Sequence, residues 1–99
     1  MNHPPGKYQS TFWSVKISDL DLAKDKPYII NQALAYGDLE VLRWLFRTYD
    51  KQTIREVFLK QPIKIYTPQI FYLSKLLLKV PDDQAPAYRY DRSLPRHLG

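Results

Sequence analysis

Pro27, Gly37-Asp38, Asp50, Pro62, Thr67-Pro68 and Pro81 divide the middle of the chain into four segments. Each segment has the length of one ordinary helix, and each boundary has a physical reason. Proline lacks an N–H, so it is harmless in a first helical turn and disruptive further in. Pro27 therefore opens a first helix that runs through Tyr28-Ile29-Ile30 to Tyr36. Gly37 closes it, a residue type that tolerates the left-handed conformation common at helix ends. Asp38 caps a second helix, Leu39 to about Tyr49, through its carboxylate. Asp50 caps a third, Lys51 to about Lys60, which Pro62 stops. Thr67-Pro68 pairs a hydroxyl cap with a proline start and opens a fourth, which reaches about Val80. The expected fold is all-α: a compact four-helix domain over residues 12–80. A flexible arm precedes it at residues 1–11, and a C-terminal tail follows at residues 81–99. Within the domain, Trp13, Val15 and Ile17 alternate with Ser14 and Lys16. That alternation suits a short extended piece laid over the helices.

The helix faces differ in kind. On the third helix Ile54, Val57 and Phe58 share one side and polar residues take the rest, with Glu56 and Lys60 spaced for an i,i+4 pair. On the second, Glu40, Arg43 and Arg47 make a narrow polar stripe in an otherwise apolar helix, which marks it as the expected centre of the core. On the fourth, Tyr72, Lys75 and Lys79 fall within about 60°, and apolar residues fill an arc of roughly 220°. A helix packed on one side needs an apolar stripe of only about 100° or somewhat more. The fourth helix is therefore either sandwiched in the core or partly open to a partner. On the second alternative Phe71 and Leu78 are candidate partner contacts. The tail has three prolines and few aliphatic residues, which suits disorder. Its alternative is a segment that docks on a partner through Tyr88, Arg89, Tyr90 and Arg92, residue types that anchor interfaces.

The chemistry of catalysis is thin in these residues. The chain has no cysteine and two histidines, His3 and His97, at opposite ends. No nucleophile has a neighbouring base, and no glycine-rich loop is present to hold phosphate. Asp19, Asp21 and Asp25 fall short of an EF-hand loop and read as capping or solvated carboxylates. No enzyme activity, cofactor, metal or small-molecule substrate is expected. The chain shows neither a signal-peptide pattern nor an apolar run long enough for a bilayer, so a cytoplasmic protein without membrane contact is the expectation.

Charge supplies the competing reading. The net charge is +5, and residues 51–80 alone carry an excess of +5. A basic stretch of this kind can mark a nucleic-acid surface. As a helix-turn-helix, the third and fourth helices would set Arg55, Lys60 and Lys64 on the DNA backbone. Gln69, Tyr72 and Lys75 would approach bases. Two features oppose this. The Gln61–Tyr66 connection exceeds the usual three- or four-residue turn, and the polar face of the fourth helix is narrow for a groove reader.

One string of residues has a wider bearing. It includes Phe12-Trp13-Ser14-Val15, Tyr28-Ile29-Ile30, Tyr36-Gly37-Asp38-Leu39-Glu40 and Arg43-Trp44-Leu45-Phe46-Arg47-Thr48-Tyr49. It resembles a family of short bacterial helical proteins of unsettled function, often encoded beside nucleotidyltransferase-like toxins of the abortive-infection type. The resemblance covers roughly residues 12–80. It implies an antitoxin that neutralises a toxin protein and has operator DNA as a further partner, and it assigns no functional residues.

Overall fold

The computed structural model describes residues 2–95 and contains four α-helices in chain order. These are α1 (Lys26–Tyr36), α2 (Leu39–Thr48), α3 (Lys51–Lys60) and α4 (Pro68–Leu78). The caps act as their chemistry demands. Asp38 accepts from the Val41 N–H at 3.0 Å, Asp50 from Thr53 at 2.7 Å and Thr67 from Ile70 at 3.3 Å. Each satisfies a donor that the first helical turn leaves without an internal partner. The fold is all-α, and no described helix is long and apolar enough to cross a membrane.

Two helix ends differ in mechanism from expectation. Gly37 has φ −73° and ψ 147°, an extended conformation open to any residue. Glycine is required there by space: a Cβ would lie 2.5 Å from the Ala33 carbonyl oxygen and 2.7 Å from Val41 Cγ1. The left-handed residue is Lys79 (φ 56°), which closes α4. Glu56 also takes a different partner, accepting from Gln52 rather than pairing with Lys60.

The centre of the core is α1, not α2. Residues 29–34 of α1 are all buried, and α1 packs against α2, α3 and α4. On α2 only Val41 and Leu45 are buried. The apolar surplus of α2 faces partly outward because α1 already occupies the middle. Asn31 and Gln32, polar but buried, are fully used. The Asn31 amide donates to the Pro27 and Gln61 carbonyls, and its oxygen accepts from Tyr66 Oη at 2.7 Å and from the Ile63 N–H. Gln32 donates to the Thr11 carbonyl.

The described parts of both segments expected to be loose, residues 2–11 and 81–95, are seated on this core, and the rest of each lies outside the described residues. In the arm, Pro4 and Tyr8 are buried, and the Asn2 carbonyl accepts from the Leu22 N–H at 2.7 Å. Residues 12–22, expected as an extended piece, run instead through turns and a short 3₁₀ turn at Ile17–Asp19. Gln9 holds them together, donating to the Phe12 and Val15 carbonyls and accepting from the Ile17 N–H. Phe12, Ile17 and Leu20 are buried and Trp13 points outward. In the tail, Tyr66 and Asp91 form a single parallel bridge, flanked by Tyr66 N–H to Tyr90 O at 2.9 Å and Arg92 N–H to Tyr66 O at 3.0 Å. The Tyr90 ring packs on Phe58 and Phe71 at 4.6 and 4.8 Å, and its hydroxyl donates to the Phe58 carbonyl. One buried aromatic ring, 150–250 Å² of surface, supplies the hydrophobic contact that the aliphatic-poor tail otherwise lacks.

Candidate protein-docking surface

The wide apolar arc of α4 is split between core and surface. Phe71, Ser74 and Leu78 point inward and are buried. Phe71 and Leu78 are therefore not available to a partner, contrary to the reading of the sequence. The exposed apolar residues are Leu73 (56% exposed), Leu76 (57%) and Leu77 (45%). Asp82 binds Lys75 at 2.7 Å, and the Lys75 ammonium lies 4.5 Å from the centre of the Phe71 ring. Lys75 is thereby held to the tail, Tyr72 and Lys79 of the same polar edge stay exposed, and the burial of Phe71, Ser74 and Leu78 leaves Leu73, Leu76 and Leu77 facing outward.

These leucines border a groove. α2 and α4 both pack on α1, and the C-terminal end of α1 floors the space between them. Leu34, Gly37 and Ser74 lie at its base, with Leu42 on one wall and Ile70, Leu73 and Leu77 on the other. The pocket holds about 80 Å³ and is partly open to solvent. Leu39, 64% exposed, shares a face of α2 with Leu42 at i,i+3 spacing. Leu39, Leu73, Leu76 and Leu77 are all exposed, and exposed apolar patches on a monomer are often functional.

An aromatic cluster adjoins the same end of α1. Trp13, 58% exposed, packs on Tyr36 with ring centres 4.9 Å apart. Arg92 donates to the Tyr36 hydroxyl at 3.4 Å. Tyr36 immediately precedes Gly37 at the groove base. Of the tail residues put forward from sequence, Tyr88, Arg89 and Arg92 have exposed surface, and Tyr90 is core. Trp13, Leu39, Leu73 and Leu77 were not singled out. The exposure of the leucines depends on how α4 is rotated, and that is set by the seating of Phe71, Ser74 and Leu78 in the core, which periodicity alone does not give.

The six nucleic-acid candidates are not brought together as one surface of free side chains. Lys64 donates to the Tyr88 and Asp91 carbonyls at 2.7 and 2.6 Å, clamping the tail, and Lys75 is held by Asp82. Arg55 reaches the Lys79 carbonyl. Lys60, Gln69 and Tyr72 are exposed. The connection from α3 to α4 runs from Gln61 to Thr67 and is pinned by Asn31 and the tail bridge, which departs from the short turn of a helix-turn-helix.

The carboxylates with resolved shifts serve structure. Asp21 is held below the usual range by the Lys24 and Ala23 N–H groups, Asp50 by Thr53 and Asp91 by Ser93. Glu40 is lowered by hydrogen bonding to Lys7 and then Tyr8. Anions stabilised in this way are poor proton donors near neutral pH. His3 Nδ1 contacts the Pro4 carbonyl, and His97 lies outside the described residues.

Residues 9–58 match the profile of a family of unknown function, DUF6922. The match takes in α1, α2, most of α3 and the N-terminal turns, and it ends before α4. No curated protein and no solved structure matches the chain.

Proposed function

We propose that this chain, which belongs to the DUF6922 family of unknown function, works by binding another protein through the groove between α2 and α4. The proposed partner is a nucleotidyltransferase-type toxin that the chain neutralises. The observation that carries the binding reading is the exposure of Leu73 and Leu77 beside a pocket floored by α1. Full burial of a leucine is worth roughly 1.5–3 kcal/mol, and Leu73 and Leu77, already about half buried, leave about half of that for a partner to recover. Grooves of this form commonly accept one apolar face of a partner helix. The toxin identity is supported by the sequence resemblance alone.

Co-expression with a nucleotidyltransferase-type toxin is the direct test. A stable complex on size exclusion and relief of growth arrest are expected. Leu73→Glu combined with Leu77→Glu should abolish both while leaving the thermal melt nearly unchanged. Wild-type binding by that double variant would remove the groove from the interface. No complex with the wild-type chain would remove the toxin.

A DNA-binding role has less support, because Lys64 and Lys75 are committed to the tail.

A further inference from the structure

We infer that the cleft between the start of α3 and the end of α4 binds a multiply charged phosphate group. This site is separate from the groove between α2 and α4 and does not depend on the role proposed for it.

The positive charge in the cleft is uncompensated. Lys51, Gln52 and Arg55 of α3 meet Leu78 and Lys79 around a pocket of about 340 Å³ that is open to solvent. Three of these five residues are cations, and no carboxylate lines the pocket. The Lys51 and Lys79 ammonium groups have no hydrogen bond or ion pair to any described residue. The carboxylates nearest in sequence have partners of their own. Asp50 accepts from the Thr53 N–H, Glu56 from the Gln52 amide, and Asp82 binds Lys75. Two helix ends also meet here. The positive end of α3 and the negative end of α4 each amount to about half a charge, so they largely cancel and leave the three cations unopposed.

The cleft on the opposite face of α3 is the contrast. Lys24, Lys26 and Lys60 line it, but Glu56 lines it with them, and Asp21 and Asp50 lie within electrostatic reach of Lys24 and Lys26. Its charges are matched within the chain, and those of the first cleft are not.

Lys79 and Arg55 add chemistry to the charge. Lys79 has φ 56°, at a helix-closing position where glycine would be unstrained. Lysine there accepts backbone strain and brings a third cation to the pocket. Arg55 donates to the Lys79 carbonyl at 3.5 Å, which ties its guanidinium to that left-handed turn. Its other N–H donors form the planar fork that pairs with two oxygens of a phosphate. A carboxylate fits the same fork, but its single charge leaves the other cations unmatched. A phosphate group with two or more negative charges matches the set.

The test titrates sodium pyrophosphate into the isotope-labelled full chain at constant ionic strength and follows the backbone amide resonances. The wild type is compared with Lys51→Gln, Lys79→Gly and Lys60→Gln, the last in the matched cleft. Saturable shifts are expected around residues 51–55 and 78–80. Lys51→Gln and Lys79→Gly should each weaken binding on the order of tenfold, about 1.4 kcal/mol, and Lys60→Gln should leave it unchanged. Lys79→Gly is the decisive variant, because glycine suits the backbone at that position and a thermal melt of the same sample reports its folding. A fluorescein-labelled single-stranded oligonucleotide, read by anisotropy, then identifies the source of the phosphate. Binding that pyrophosphate displaces and Lys79→Gly weakens assigns the site to a nucleic-acid backbone. Pyrophosphate binding without oligonucleotide binding assigns it to a small phosphorylated molecule. Non-saturating shifts spread over all the lysines, or equal affinity of Lys79→Gly and wild type, would overturn the site.

Discussion

Tyr66 donates its hydroxyl to the Asn31 side-chain oxygen at 2.7 Å, and both residues are completely buried. The pair joins the middle of α1 to the segment that links α3 and α4. Because Asn31 also holds the Gln61 carbonyl and the Ile63 N–H, one amide sets the path of that connection. Replacing Asn31 by alanine leaves several buried groups without partners, each costing about 1–3 kcal/mol. Tyr66→Phe removes one donor only and should cost about 1 kcal/mol. Urea unfolding is expected to rank wild type, Tyr66→Phe and Asn31→Ala in falling order of stability. Equal stability of Asn31→Ala and wild type would remove this hub from the account.

Three tyrosines make the fold sensitive to alkali. Burial pushes Tyr90 and Tyr49 up to about 12 and raises Tyr66 well above its ordinary value. In the unfolded chain all three ionise near pH 10. Their contribution is therefore complete below about pH 10 and is lost as pH rises through 12, because the unfolded state has then released protons that the native state still binds. The stability measured by denaturant should fall in that window, and phenolate absorbance of these residues should appear together with loss of helicity. Tyr66→Phe should flatten the fall. Ionisation of all eight tyrosines near pH 10 with helicity intact would contradict this.

Helix positions were legible because capping is local chemistry. Asp38, Asp50 and Thr67 each act within three residues of themselves, so reading them requires no knowledge of the fold. The centre of the core was not legible. The larger number of bulky apolar side chains points to α2, yet α1 is buried because three other helices pack around it, and it carries an Asn and a Gln that read as polar until their buried partners are known. The seating of the tail was hidden for a related reason. It depends on Tyr90 filling a space between Phe58 and Phe71, residues that lie far from it in sequence. The docking surface inherits that uncertainty. Periodicity showed that α4 has more apolar surface than one contact needs, and which leucines remain outside follows from the burial of Phe71, Ser74 and Leu78 against the rest of the fold.

The junction between α1 and α2 should not tolerate a side chain at residue 37. A methyl group there would meet the Ala33 carbonyl oxygen and the Val41 side chain well inside contact distance. Gly37→Ala relieves no backbone strain, since its φ is already ordinary, so the usual gain from restricting glycine in the unfolded chain is outweighed. A loss of about 1–3 kcal/mol is expected, seen as a drop of roughly 4–8 °C in Tm for each kcal/mol. A Tm at or above that of the wild type would show that the junction can spread at no cost.

Lys79 presents the opposite case. It is the described non-glycine residue with positive φ, and it closes α4 in the left-handed region. Glycine has no Cβ to strain there. Lys79→Gly should therefore leave stability unchanged or raise it by up to about 1 kcal/mol, despite glycine's larger unfolded entropy. The Arg55 contact to the residue 79 carbonyl is retained, because it uses backbone. Thermal unfolding checks the sign. A clear loss would mean that the Lys79 side chain contributes something beyond its place in the chain.

Neighbouring leucines on α4 offer the sharpest separation of core from surface. Leu78 is fully buried, and Leu77 is nearly half exposed at the groove wall. Leu78→Ala should cost about 2–5 kcal/mol, through lost burial and the cavity left behind. Leu77→Ala should cost under about 1 kcal/mol, in line with other surface changes. Partner binding should respond in the reverse order. In conditions where both variants are folded, Leu77→Ala should weaken binding and Leu78→Ala should leave it intact. Denaturant unfolding beside a binding titration measures both quantities on the same protein. If Leu77→Ala lost stability like Leu78→Ala and kept full binding, the groove wall would belong to the core, and the outward face of α4 would have no claim as an interface.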